Sequence, residues 1–348
     1  MSTQKADGSL LFETKVDEKG FDSGVKKLGG IAAKGMAAVG ASIVAAGTTV
    51  AGLGAAAIKV GIEFESAFAG VKKTVDASDE QLSALHDGLI DLSKEIPVTA
   101  AGLSAIAESA GQLGIDVDNI EEFTATMADL SVATNLTAEE AATSFARFAN
   151  IVGMSQENFD RLGSVVVALG NNLATTEAEI TAMAMRIAGA GSQVGLTEAQ
   201  IMAFSSALSS VGIEAEAGGT AFSTLISKMS LAVAQGGAAL TDFSDVAGMT
   251  GDEFREAFEQ DAGQAILSFI QGLARINDEG GSAIKTLDDI GLSDIRMRDA
   301  LLRASGASDV FAEALDIANT AWDENIALSK EAEQRYKTME SRLQMLKN

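Results

Sequence analysis

Among its 348 residues the chain has no cysteine, one proline, one histidine, one tryptophan and one tyrosine. Without cysteine there is no disulfide, no thiolate nucleophile and no cysteine-based metal site. His86 is the single side chain whose ordinary titration lies near neutral pH, so a multi-histidine metal centre is excluded. One proline against 35 glycines describes helices punctuated by glycine rather than a proline-rich linker. Positive charge is scarce as well: 25 Lys and Arg stand against 49 Asp and Glu, a formal net charge of −24. Residues 1–75 hold nine basic and seven acidic side chains and residues 329–348 hold five and three, leaving 11 basic against 39 acidic over 76–328. A body of that charge repels phosphate backbones and anionic surfaces, which argues against sequence-specific nucleic-acid binding. The length suits two or three domains with a sizeable core.

Charge disappears altogether from "GMAAVGASIVAAGTTVAGLGAAAI", Gly35–Ile58, which is bounded by Lys34 and Lys59. As a helix it would extend about 36 Å, enough to cross a bilayer. Small residues recur at every fourth position, as in Ala37/Ala41/Ala45 and Gly47/Ala51/Ala55, the spacing that lets membrane helices approach closely. The large apolar residues are few: Met36, Val39, Ile43, Val44, Val50, Leu53 and Ile58 are the candidate membrane contacts. The other reading is a tightly packed helix or helical hairpin, and conditional insertion stands between the two. A signal peptide is not indicated, because Asp7, Glu13, Asp17, Glu18 and Asp22 precede the apolar run. Gly35–Ser42 has the glycine spacing of a phosphate-binding loop but Ala41 where the lysine belongs.

The pattern predicts a mainly α fold: a multi-helix array with a short N-terminal strand, the apolar Ala/Gly-rich segment and a long C-terminal amphipathic helix. "SLLFETKVD", residues 9–17, alternates like a strand, and a helix begins near Phe21. Helix starts repeat as a hydroxyl with Glu or Gln three residues on, at Ser78, Thr137, Thr176, Thr197 and Thr250. Gly153, Gly170, Gly195, Gly212, Gly236 and Gly291 are the matching stops. Apolar stripes follow helical spacing at Phe123/Met127/Leu130/Ala133 and at Ile201/Phe204/Leu208/Val211. The start signals share no constant period, so no solenoid is predicted. "GAGSQVG", from Gly189, reads as a loop. The expected organisation is a strand–turn–helix start over 1–30, the apolar segment over 31–62, an acidic multi-helix core over 63–310 and the long helix over 311–348.

That last helix is predicted from a seven-residue frame: Leu315/Ala318, Trp322/Asn325, Ser329/Ala332, Tyr336/Met339 and Leu343/Leu346. Leu315, Trp322, Asn325, Tyr336, Met339, Leu343 and Leu346 are the candidate self-association residues, with Asn325 as a register-setting polar position. The alternative is a single amphipathic helix packed on its own domain.

Catalytic signals are absent. His86 has Asp87 beside it but no signalled nucleophile, and reads as an exposed helical histidine. Pairs such as Glu139/Glu140 and Asp288/Asp289 fall at helix starts or outer faces, where carboxylates favour the helix dipole or face water. No cofactor or metal site and no enzyme are predicted.

Read in order, "LSKEIPVTAAGLSAIAESAGQLGI" (92–115), "FTATMADLSVATNLTAEEAATSFARFANI" (123–151), residues 169–229 and "GLSDIRMRDALLRASG" (291–306) resemble phage tail tape measure proteins. The likeness continues into 322–346 and covers most of 60–348. It implies a structural protein that lies in several copies in the tail tube lumen. Such a protein templates tube length and leaves ahead of the DNA. The implied partners are tail tube subunits, assembly chaperones and tip or baseplate proteins, with the host membrane on ejection. The apolar segment would then meet a membrane only on leaving the tail. Family members sometimes carry peptidoglycan-cleaving domains, and none is recognisable in this sequence. Since 348 helical residues would span about 520 Å at most, the chain is expected to be part of a longer protein or a short member. The alternatives are a membrane-active pore-forming helical protein and, further off, a helical enzyme with an unrecognised carboxylate site.

Overall fold

The structure, a computed structural model, describes residues 50–345, and the chain divides into a unit ending at Gly61 and a unit beginning at Ile62. The strand expected at 9–17, the 1–30 region, Met36, Val39, Ile43, Val44 and Leu346 lie outside the described residues. Helix α1, Val50–Thr74, takes in the end of the apolar stretch with Val50, Leu53 and Ile58, and continues through Lys59, Glu63 and Glu65. Among the described residues no helix is long and apolar enough to cross a membrane.

From α1 the chain runs through α2 (Asp79–Glu95), α3 (Ala100–Gln112), α4 (Val117–Ala133), α5 (Ala138–Val152) and α6 (Phe159–Asn172). It continues with α7 (Glu177–Gln193), α8 (Glu198–Ser210), α9 (Ala215–Gln235), α10 (Gly237–Ala247), α11 (Gly251–Gln260) and α12 (Ala262–Asp278). The last elements are α13 (Ala283–Asp289), α14 (Ile295–Gly306), α15 (Ser308–Glu324), α16 (Ala327–Tyr336) and α17 (Met339–Met345). The fold is mainly α, and no strand occurs among the described residues.

The predicted starts are all realised as reciprocal caps, at Ser78, Thr137, Thr176, Thr197 and Thr250. At Thr137 the Glu140 backbone N–H donates to Oγ1 at 3.2 Å while the Thr137 N–H donates to the Glu140 carboxylate at 2.9 Å. Stops at Gly153, Gly195, Gly212, Gly236 and Gly291 have positive φ. Gly170 is a correction: it sits inside α6, where a Cβ would lie 2.6 Å from the Glu177 carboxylate. The helix runs on past it to Asn172, so it does not close the chain there. The stretch beginning at Gly189 is likewise helix through Gln193 rather than loop, with Gly191 pressed on Ile201.

Helix α8 stands at the centre. The stripe Ile201/Phe204/Leu208 is buried as expected, but so is every residue from Ala199 to Leu208. It packs against α6, α7, α9 and α15, which leaves it no solvated face. Helices α3–α5 pack together as one triplet and α7–α9 as another.

The C-terminal helix is the main departure. In place of one helix over 311–348, α15 ends at Asn325 (φ 50°, ψ 45°), and a second break at Lys337 and Thr338 separates α16 from α17. The cause is packing. Helix α15 lies on α6 and α8, whereas α16 lies on α6 and α4. A straight helix would leave one of those surfaces uncovered.

Candidate functional site

His86 lies on α2. Its ring lies against Phe64 and Phe68, with centroids 4.8 and 5.1 Å away, so it is a packed residue and not the exposed one expected. Nδ1 is 3.0 Å from an Asp87 oxygen and Nε2 is 3.3 Å from Glu65 Oε1. Asp87 does orient the imidazole, but no hydroxyl or thiol nucleophile is among its contacts. This group ties α1 to α2.

Carboxylates elsewhere serve helix ends. Thr137 holds the Glu140 carboxyl below the usual range, through its backbone N–H first and its hydroxyl second, and Thr250 does the same for Glu253. Asp288 and Asp289 are exposed at the end of α13, and Asp288 lies 3.8 Å from Arg298. Among the described residues no group of carboxylates and histidine could hold a metal ion. An open groove on α7 and α9 is lined by Arg186, Thr220, Ser223 and Lys228, and another by Glu214, Glu216, Arg296 and Asp299. Asp129, whose carboxyl burial pushes above the usual range, lines neither.

Of the candidate self-association residues, Leu315, Trp322, Asn325 and Tyr336 contact the chain's own helices, in a C-terminal latch. Leu315 is 2% exposed in the core, and Trp322 packs on it half-buried. The Trp322 carbonyl accepts from Arg161 Nη1 at 2.7 Å. Asn325 caps α15 in the left-handed conformation, which asparagine tolerates better than other residues with a Cβ. Its side chain accepts from Ser164 Oγ at 3.0 Å and donates to the Asp160 carboxylate. Leu328 reaches a notch at Gly163, where a Cβ would stand 2.8 Å from Leu328 Cδ2. At the far end the Tyr336 hydroxyl donates to Asp129. Burial, the Asp129 charge and that hydrogen bond all push the Tyr336 phenol well above its usual range. Met339 and Leu343 fall on α17.

Asp129, Asp160, Arg161, Gly163 and Ser164 carried no signal in the sequence. Their partners lie more than 150 residues away, and nothing local marks such contacts. Asn325 did carry one: asparagine after an apolar helical run is a familiar stop. The heptad frame gives the same residue a register-setting place.

A family model described as "Phage-related minor tail protein" matches residues 86–287, from α2 to α13. No curated protein and no solved structure matches the chain.

Proposed function

The chain belongs to the phage-related minor tail protein family, and from that premise we propose that it is a tape measure protein. As a member of that family it is a structural component of the virion tail. The finer reading is ours: it lies in the tube lumen, templates tube length during assembly and leaves ahead of the DNA. The observation that supports it is the family match across the helical body, beside an order of sequence segments that resembles tape measure proteins. Length is a quantity a helical chain can encode without an active site, because each helical residue adds about 1.5 Å. The acidic body favours the same role, since a net negative molecule slides from a DNA conduit without binding its cargo.

In this reading several copies act with tail tube subunits, assembly chaperones and tip or baseplate proteins. Protease protection tests the placement. The chain should resist protease in intact tails and be lost from tails triggered to eject. Digestion in intact tails would place it outside the tube and sink the proposal.

The uncharged stretch Gly35–Ile58 supports a second, compatible role on ejection, with Met36, Val39, Ile43, Val44, Val50, Leu53 and Ile58 as its membrane contacts. Dye release from liposomes by the full chain should fall when Ile43 and Leu53 are changed to Asp. Unchanged release would remove this role.

A further inference from the structure

We propose that α16 is an exchangeable arm: Asn325 opens as a hinge, and the arm of one copy seats in the groove between α4 and α6 of a second copy.

Four observations lead there. Asn325 is the one residue other than glycine with positive φ among the described residues, so the bend rests on one unfavoured backbone conformation. The sequence through the bend keeps its heptad spacing and contains no Gly or Pro, so a straight helix violates no local rule. The arm's grip is small: Leu328 and Ala332 are its buried residues, joined by the Asn325–Ser164–Asp160 contacts at one end and Tyr336–Asp129 at the other. Beyond the hinge, the Leu328–Gly163 and Tyr336–Asp129 contacts pair the arm with α6 and α4 and not with its sequence neighbours, so an arm from another copy can remake them.

The arm over 327–336 carries two basic and two acidic side chains, so it brings no net charge to the acidic body of another copy, which holds 11 basic and 39 acidic over 76–328. Its complement, a leucine peg for the Gly163 notch and a phenol for Asp129, is present in every copy of the chain. Each copy gives one arm and offers one groove, so two copies can close on each other or many can join head to tail. This deepens the self-association part of the tail reading and rests on that reading for its setting.

Complementation of two damaged chains tests it. Leu328→Asp spoils the arm and leaves the groove, while Gly163→Val fills the notch and leaves the arm. Each full-length variant alone should show little association in native mass spectrometry. Mixed, they should give a 1:1 complex at least about tenfold above either alone, a gain of about 1.4 kcal/mol in association. Mixed variants that stay apart would overturn the proposal. Asn325→Ala, with arm and groove both intact, serves as an independent check. It trades a residue suited to the bend for one that favours straight helix, and should raise the dimer fraction about tenfold. A monomer at every concentration would overturn the proposal even if either damaged variant fails to fold. Tail length plays no part in either assay, so a failed ruler leaves these results standing, and a failed exchange leaves the ruler standing.

Discussion

Thr137 supplies one acceptor for the start of α5 and receives another from Glu140. Thr137→Ala should cost about 1 kcal/mol in thermal or denaturant unfolding, the ordinary worth of a cap. Asp129 behaves differently, because its half-buried carboxyl is held above the usual range by desolvation, with the Tyr336 hydrogen bond opposing. The native state therefore takes up this proton at higher pH than the unfolded chain, whose value is about 3.9. Between the raised native value and the unfolded one the native state binds more protons, so this group's contribution to stability rises as pH falls. Asp129→Asn keeps an acceptor for Tyr336 and removes the buried charge. Its unfolding free energy should be no lower than wild type at pH 7, with a flatter pH dependence below neutrality. A variant with the wild-type slope would mean that Asp129 is not the group titrating there.

Between residues and the whole, glycines decide how closely helices cross. At Gly272 in α12 a Cβ would lie 1.8 Å from the Val246 carbonyl oxygen of α10, and backbone cannot move aside as a flexible side chain can. Gly272→Ala should cost about 3 kcal/mol. Gly189, in α7, has open space where a Cβ would go. There Ala should stabilise by up to about 1 kcal/mol through helix propensity alone. Denaturation of the two variants side by side checks both signs. Much of this layer was legible in the sequence, because caps at Thr176 or Thr250 and reversals at Gly153 or Gly212 are local events. Gly170 misled because a glycine inside a helix and a stopping glycine look alike in sequence. The long C-terminal helix misled for a related reason. A heptad stripe from Leu315 to Tyr336 describes the buried face equally well whether the helix is straight or bent at Asn325, and the choice is made by α4 and α8 far away in sequence.

At the scale of the molecule, two helix triplets meet at α6, and the C-terminal segment crosses from one to the other, with α15 over α8 and α16 over α4. Placing the chain in a phage tail was within reach of the sequence, because the order of its helical segments already resembled tail proteins. The latch was not, since its partners come together only in the folded chain. A compact body of short helices and a ruler make opposite demands: the first gains by burying Phe204 or Ile270, the second by stringing helices end to end. The proposed ruler role requires the helices to unpack and extend within the tube, so that residue count becomes length.

The most direct measurement is tail length by electron microscopy in phage whose gene carries an in-frame duplication of residues 308–336, with the original copy left in place. Those twenty-nine added residues, if they serve as extended helix, lengthen the tail by about 44 Å. Tails of unchanged length would contradict the tape measure reading.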